Sequence, residues 1–221
     1  MILVDFFRQT PIHARVAPFV IFVALTACQG QLVESSRYWI YALKTILGAW
    51  MIWAVRPAVE EMKWKFSVEA LLVGVGVFVA WVGLDSLYPK LSEAGKPWNP
   101  NVEFGEGSPM AMAVIATRIL GSSLIVPPIE EIFYRSFIYR YMVDQDFMKV
   151  GLSAKSWKAL AITAGVFGFA HHEWLAGILC GLAYQWLVLR KGRLGDAITA
   201  HAITNFLLGI WVVWKGAWNF W

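Results

Sequence analysis

The chain has 221 residues, 58% of them hydrophobic and 15% charged, with a mean hydropathy of +0.55 and a formal net charge of +4. Soluble domains carry about 25% charged residues, so this balance excludes an ordinary water-soluble fold and points to one integral membrane domain over residues 1–221, with the lipid bilayer as its solvent. No basic run is interleaved with aromatics, so nucleic acid is not an expected partner, and thirteen Trp and seven Tyr suit a protein with two lipid–water interfaces.

In chain order, Asp5, Arg8, His13 and Arg15 precede the first apolar run, with no small-residue cleavage site, which is unlike a cleavable signal peptide. Apolar runs lie near 16–29, 38–55 and 67–88, and Pro18 falls in the first turn of the first run, where it is tolerated. Residues 89–109 are rich in Pro, Gly and Asn and predict an external loop with an interfacial turn at Trp98. The run at 110–143 is too long for one straight crossing, since a helix of that length rises roughly 50 Å against a hydrocarbon core of about 30 Å. Runs near 158–171, 174–190 and 195–214 complete the chain. Cys28 and Cys180 both fall in apolar stretches and are expected to be buried free thiols; no zinc-type spacing occurs.

Lysine and arginine placement decides how the long run is counted. As one crossing, with the amino terminus inside, it puts Arg8, Arg15, Arg56, Lys63, Lys65, Arg140, Lys149, Lys155, Lys158, Arg190, Lys191 and Arg193 on the cytoplasmic side. Arg37, Lys90, Lys96 and Lys215 then lie outside. Two crossings destroy that bias. The expected fold class is therefore all-α: a polytopic membrane helix bundle of about seven transmembrane helices (six to eight), with 110–143 as one long helix kinked at Pro127-Pro128.

Three polar groups interrupt the apolar pattern. Glu130, Glu131 and Arg135 sit in the long run, where an ionised side chain needs a partner or a water-filled cavity. Glu131 and Arg135 are four apart and can pair on one helical face, while Glu130 is rotated by about 100° and can point elsewhere as a general base. His201 and Asn205 also share a face, either as interhelical hydrogen-bonding glue or as donors in a site. His171 closes the run at 158–171, and at most one of His171 and His172 enters a shared site. His172-Glu173-Trp174-Leu175-Ala176 starts like a zinc-protease helix but ends in Ala176, so His172 and Glu173 are expected at the interface.

The order Glu130-Glu131-Ile132-Phe133-Tyr134-Arg135, Phe167-Gly168-Phe169-Ala170-His171, His201-Ala202-Ile203-Thr204-Asn205, on successive apolar helices, resembles the CPBP family of membrane proteins. That family includes the CAAX prenyl endopeptidases and bacterial relatives linked to bacteriocin maturation or immunity. The resemblance covers about 110–214, the expected catalytic core. It implies an endopeptidase acting on a membrane-associated or lipidated polypeptide, in a bacterial or archaeal cell membrane, through a cavity open to the cytoplasm. Glu130 would activate water with help from His171, and His201 and Asn205 would stabilise the oxyanion. Glu131 and Arg135 would be the supporting residues. No cofactor is required; the alternative is a divalent metal held by Glu130, His171 and His201. The rival functions are a non-catalytic scaffold or immunity protein of the same fold, and a small proton-coupled transporter.

Overall fold

The computed structural model describes residues 2–91 and 97–221, so Lys96, one of the lysines expected outside, lies beyond the described residues. Among the described residues there are nine helices and no strand. They are α1 (Ile2–Gln9), α2 (Pro11–Ala27), α3 (Ser36–Val55), α4 (Val68–Gly83), α5 (Pro100–Phe104), α6 (Pro109–Val143), α7 (Trp157–Phe169), α8 (Trp174–Lys191) and α9 (Gly195–Lys215). The seven apolar runs of the sequence each become a helix. Ser36–Ala58, Pro109–Val143 and Gly195–Lys215 are long and apolar enough to cross a membrane, and α2, α4 and α7 are shorter apolar helices. Ile46, Trp53, Leu72 and Trp214 are each more than 60% exposed. Such an apolar exterior over a packed interior fits a bundle solvated by lipid rather than water.

The starts of these helices follow local chemistry. Ser67 begins α4 and Ser156 begins α7, each accepting a hydrogen bond from a backbone N–H three residues on. Gly192 closes α8 with φ +63°, a left-handed conformation that favours glycine.

The long run is one continuous helix of 35 residues, as the charge bias required. It survives Pro127-Pro128 by widening. Residues Gly121–Ile125 form a π-helical turn in which the Val126 N–H donates to the Gly121 carbonyl, and a second π-helical stretch covers Ile132–Ile138. A proline lacks the amide hydrogen and crowds the preceding turn, and a wider turn removes both conflicts. Glu130 and Glu131 lie between the two π segments.

The ends of the bundle differ in charge. One end carries the amino-terminal ends of α2, α4, α7 and α9 and the carboxy-terminal ends of α3, α6 and α8. There the Lys65 N–H donates to the Gly195 carbonyl at 3.4 Å. Two arginines counted as loop charges are in fact interior: Arg15 is 2% and Arg140 6% exposed. They converge on Glu61, at 2.7 and 3.2 Å, with Ser136 hydrogen-bonded to the same carboxylate oxygen. Burial alone would raise the Glu61 pKa. The Arg15 guanidinium and the Ser136 hydroxyl outweigh it and hold the carboxyl below its ordinary 4.5.

The opposite end is aromatic. The Tyr38 hydroxyl donates to the Asn99 carbonyl at 3.0 Å, and the Trp174 indole donates to the Pro89 carbonyl at 2.9 Å. Trp98, 6% exposed, packs against Tyr38 and Trp221 with ring centroids 4.7 and 5.6 Å apart, so it is a buried anchor of its loop. Cys180 is buried, as expected, but Cys28 is exposed, because it caps the end of α2 rather than lying within it.

Candidate active site

Glu131 is wholly buried, and its two oxygens serve two partners. Oε2 forms an ion pair with Arg135 Nε at 3.2 Å, one turn on, and Oε1 lies 2.9 Å from His201 Nδ1. A carboxylate oxygen accepts, so Nδ1 of His201 carries the hydrogen and its Nε2 faces the other way. Sequence reasoning expected the Glu131–Arg135 pair but missed that Glu131 fixes His201 directly, because nothing in local spacing joins positions 131 and 201.

Glu130 points elsewhere, as its rotation predicts. It is partly exposed, its Oε2 has no hydrogen-bond partner, and that oxygen is 4.0 Å from His201 Nε2. His201 is thus bracketed by a paired carboxylate on one ring nitrogen and an unpaired carboxylate near the other. The ring is held by Tyr184, stacked at 5.1 Å, whose hydroxyl donates to Thr204 Oγ1 at 2.7 Å.

His171 lies just past the end of α7. Its Nδ1 is 2.7 Å from the Phe167 carbonyl, which can only accept, so the hydrogen is on Nδ1 and Nε2 is left with a free lone pair. The Phe167 ring covers the Arg135 guanidinium at 4.3 Å. That explains the Phe-x-x-x-His spacing: one residue shields the buried ion pair and also orients the histidine a turn later. The Asn205 amide donates to the Ser122 carbonyl at 2.8 Å, in the first π turn of α6, and has a second N–H to spare.

Glu130, His171, His201 and Asn205 all line one cavity of about 190 Å³. Its remaining walls include Trp81, Arg118, Glu173, Cys180, Phe220 and Trp221. Two of these were missed. Glu173 was expected at the interface, yet it is 8% exposed and part of the cavity wall. Arg118 was not singled out, although it is the one arginine in the first half of the long run. It sits over the rings of Trp98, Tyr41 and Trp221 at 4.5, 4.8 and 5.4 Å. Among the described residues no group of three His, Cys, Asp or Glu side chains is arranged to hold a metal ion.

Close helix approach sets the depth of the site. Gly168 of α7 and Gly177 of α8 meet backbone to backbone: a Cβ on Gly168 would lie 2.7 Å from the Trp174 carbonyl, and one on Gly177 2.9 Å from Gly168 Cα. With only 13 residues, α7 rises about 20 Å, less than a hydrocarbon thickness, and its end leaves His171 within the bundle. Toward the cationic end the floor is sealed by Glu131, Arg135, Tyr184, Leu187, Leu194 and Ile198, all at 0% exposure. Arg118, Glu173, Phe220 and Trp221, which complete the lining, come from the aromatic end of the bundle.

Residues 112–207 match a protein-family model described as Rce1-like, type II CAAX prenyl endopeptidase Rce1-like. The segment contains all three motifs, and the match agrees with the family they resemble. No curated protein and no solved structure matched the chain. The matched family is one of CAAX-type intramembrane proteases.

Proposed function

We propose that the protein is an intramembrane endopeptidase that hydrolyses a peptide bond of a membrane-associated or lipidated polypeptide, with Glu130 as the general base. The observation that carries this reading is the asymmetry of the adjacent carboxylates. Neither Oε2 accepts a hydrogen bond, but that of Glu131 is ion-paired with Arg135 at 3.2 Å and its Oε1 faces His201 at 2.9 Å, whereas Glu130 lines the cavity with no Lys or Arg paired to it and His201 Nε2 4.0 Å away. A carboxylate that served only to tie helices together would be expected to have a cation beside it, since an unpaired buried charge costs stability.

In this mechanism a water between Glu130 and His171 Nε2 attacks the scissile carbonyl carbon, and Glu130 takes the proton lost by that water. The carbonyl oxygen becomes an oxyanion, which accepts from the free N–H of Asn205 and from Nε2–H of His201 in its protonated form. Glu131 holds the His201 ring in place through Nδ1. The tetrahedral intermediate collapses as Glu130 passes its proton to the leaving nitrogen, giving one acid and one amine. No step requires a cofactor.

The test is cleavage of a panel of quenched-fluorescent, membrane-partitioning peptides by purified protein in lipid nanodiscs. The wild type is expected to cleave at least one, and Glu130→Gln to lose at least 10³-fold in kcat with its melting temperature kept within about 2 °C. Equal cleavage by the two proteins overturns the role of Glu130.

A further inference from the structure

We infer that the protein holds an anionic glycerophospholipid in a groove between α7 and α8 at the cationic end of the bundle, with an acyl chain along the apolar wall and the phosphate at Lys155 and Arg190. The inference does not rest on the proteolytic reading: the groove, of about 670 Å³, shares no lining residue with the cavity around Glu130. That volume is in the range of pockets that take small molecules, roughly 300–1,000 Å³. Leu160 of α7 and Leu182, Trp186 and Leu189 of α8 form the apolar wall. Positions 182, 186 and 189 follow the i, i+4, i+7 spacing of one helical face, so they make a continuous stripe. From Leu182 to Arg190 the helix rises about 12 Å, most of the depth of one hydrocarbon leaflet.

The polar end of the groove is fixed by the fold. Tyr139 of α6, wholly buried, donates its hydroxyl to the Ala154 carbonyl at 2.9 Å and accepts from the Ser156 N–H at 3.0 Å. Those two hydrogen bonds pin the connection ahead of α7 to the end of α6, with Lys155 between them. Among the described residues Lys155 has no ion-pair partner. Arg190, from the α8 side, lies 5.5 Å over the Trp186 ring, which leans its guanidinium over the apolar wall. It reaches Glu69 only at 3.9 Å, and Lys191 already holds that carboxylate at 2.7 Å. One carboxylate thus serves two cations while Lys155 has none, so this end of the groove carries excess positive charge.

An apolar stripe topped by two cations is the complement of one molecule type: a phosphate, which ammonium and guanidinium groups both bind, joined to a hydrocarbon chain. Trp157, 86% exposed, and Trp186, 47% exposed, line the same groove, as tryptophan does beneath a headgroup layer. A zwitterionic headgroup adds a cationic group that Lys155 and Arg190 repel, so the groove selects a net negative lipid. A lipid seated there touches α6, α7 and α8 together, since Tyr139, Leu160 and Leu182 belong to one lining. It braces α6, which carries Glu130, against α7, which positions His171.

Binding is read by native mass spectrometry on delipidated protein in detergent, titrated with phosphatidylglycerol and phosphatidylcholine of identical acyl chains. The wild type is expected to bind phosphatidylglycerol on the order of tenfold more tightly, since each cation at an anionic headgroup contributes about a factor of five. Lys155→Gln with Arg190→Gln is expected to remove most of that preference. Arg56→Gln with Lys63→Gln, which takes two exposed charges from the same end, is expected to keep it. No preference in the wild type, or the same loss in both double variants, overturns the inference. A further arm adds glycerol 1-phosphate, the headgroup without its chain, in about hundredfold excess over the lipid. Retention of the lipid is expected, because the apolar wall holds its chain. Displacement marks a site for free phosphate and overturns the role of the groove.

Discussion

At the level of single residues, the two adjacent glutamates have opposite duties, so their substitutions separate. Glu130 contributes little to packing, and Glu130→Gln is expected to abolish cleavage without unfolding the protein. Glu131 holds both Arg135 and His201 in a fully buried setting. Arg135→Ala leaves that carboxylate short of its cation and exposes a void beneath Phe167, an uncompensated buried charge costing about 3–5 kcal/mol. We expect Arg135→Ala to lower the melting temperature and the cleavage rate together, read by thermal unfolding in lipid and peptide cleavage on the same samples. A melting loss as small as that of Glu130→Gln would contradict this division. Glu131→Gln separates holding from charge: it keeps an oxygen for His201 Nδ1 but leaves Arg135 without its counter-charge. Its kcat and its melting temperature are both expected to fall, read by peptide cleavage and thermal unfolding on the same samples. A variant that keeps both would remove Glu131 from its supporting role.

At the level of helices, the site depends on two local distortions and one tight crossing. The π turn at Gly121–Ile125 brings the Ser122 carbonyl to Asn205, and the second π stretch carries Arg135 beneath Phe167. The Gly168–Gly177 crossing lets α7 end against α8 and sets the position of His171. Gly168→Ala puts a methyl 2.7 Å from the Trp174 carbonyl and 2.8 Å from the Ile178 nitrogen, both rigid backbone atoms. It is expected to cost about 1–3 kcal/mol and to reduce kcat more than it raises KM, since it moves His171 rather than the rim. Melting and steady-state cleavage check this. Gly165→Ala, on the same helix with open space at its Cβ, is the control and is expected to leave both unchanged. The helices themselves were legible: each apolar run in the sequence is a helix, because lipid requires its backbone polar groups to be satisfied within the segment. The π turns were not. Pro127-Pro128 announced a distortion, but sequence does not say whether a helix breaks, bends or widens.

At the level of the whole molecule, the chain is a bundle with one cationic end, sealed by a fully buried layer beneath the site, and one aromatic end. Glu61 ties the sealed end together, and its lowered pKa gives a pH dependence of known sign. Its stabilisation is fully present above the ordinary carboxylate value of 4.5 and is lost as pH falls through the lower folded value. Wild-type melting in lipid is therefore expected to hold down to about pH 4.5 and drop below it. Glu61→Gln should melt lower at pH 7, because Arg15 and Arg140 lose their counter-charge, and its melting should change less on acidification. The six motif residues were readable from sequence because each is a costly polar group in an apolar run. Arg118 and Glu173 were not, since their place in the cavity comes from contacts between distant segments. The Glu131–His201 contact was hidden for the same reason. The central claim, that water activated by Glu130 attacks a carbonyl held by His201 and Asn205, is tested most directly by a structure of Glu130→Gln with an uncleaved peptide bound. The account predicts the scissile carbonyl oxygen about 3 Å from Asn205 Nδ2 and His201 Nε2, with its carbon facing the residue 130 side chain. A peptide seated outside the cavity, or one whose carbonyl turns away from Asn205 and His201, would contradict it.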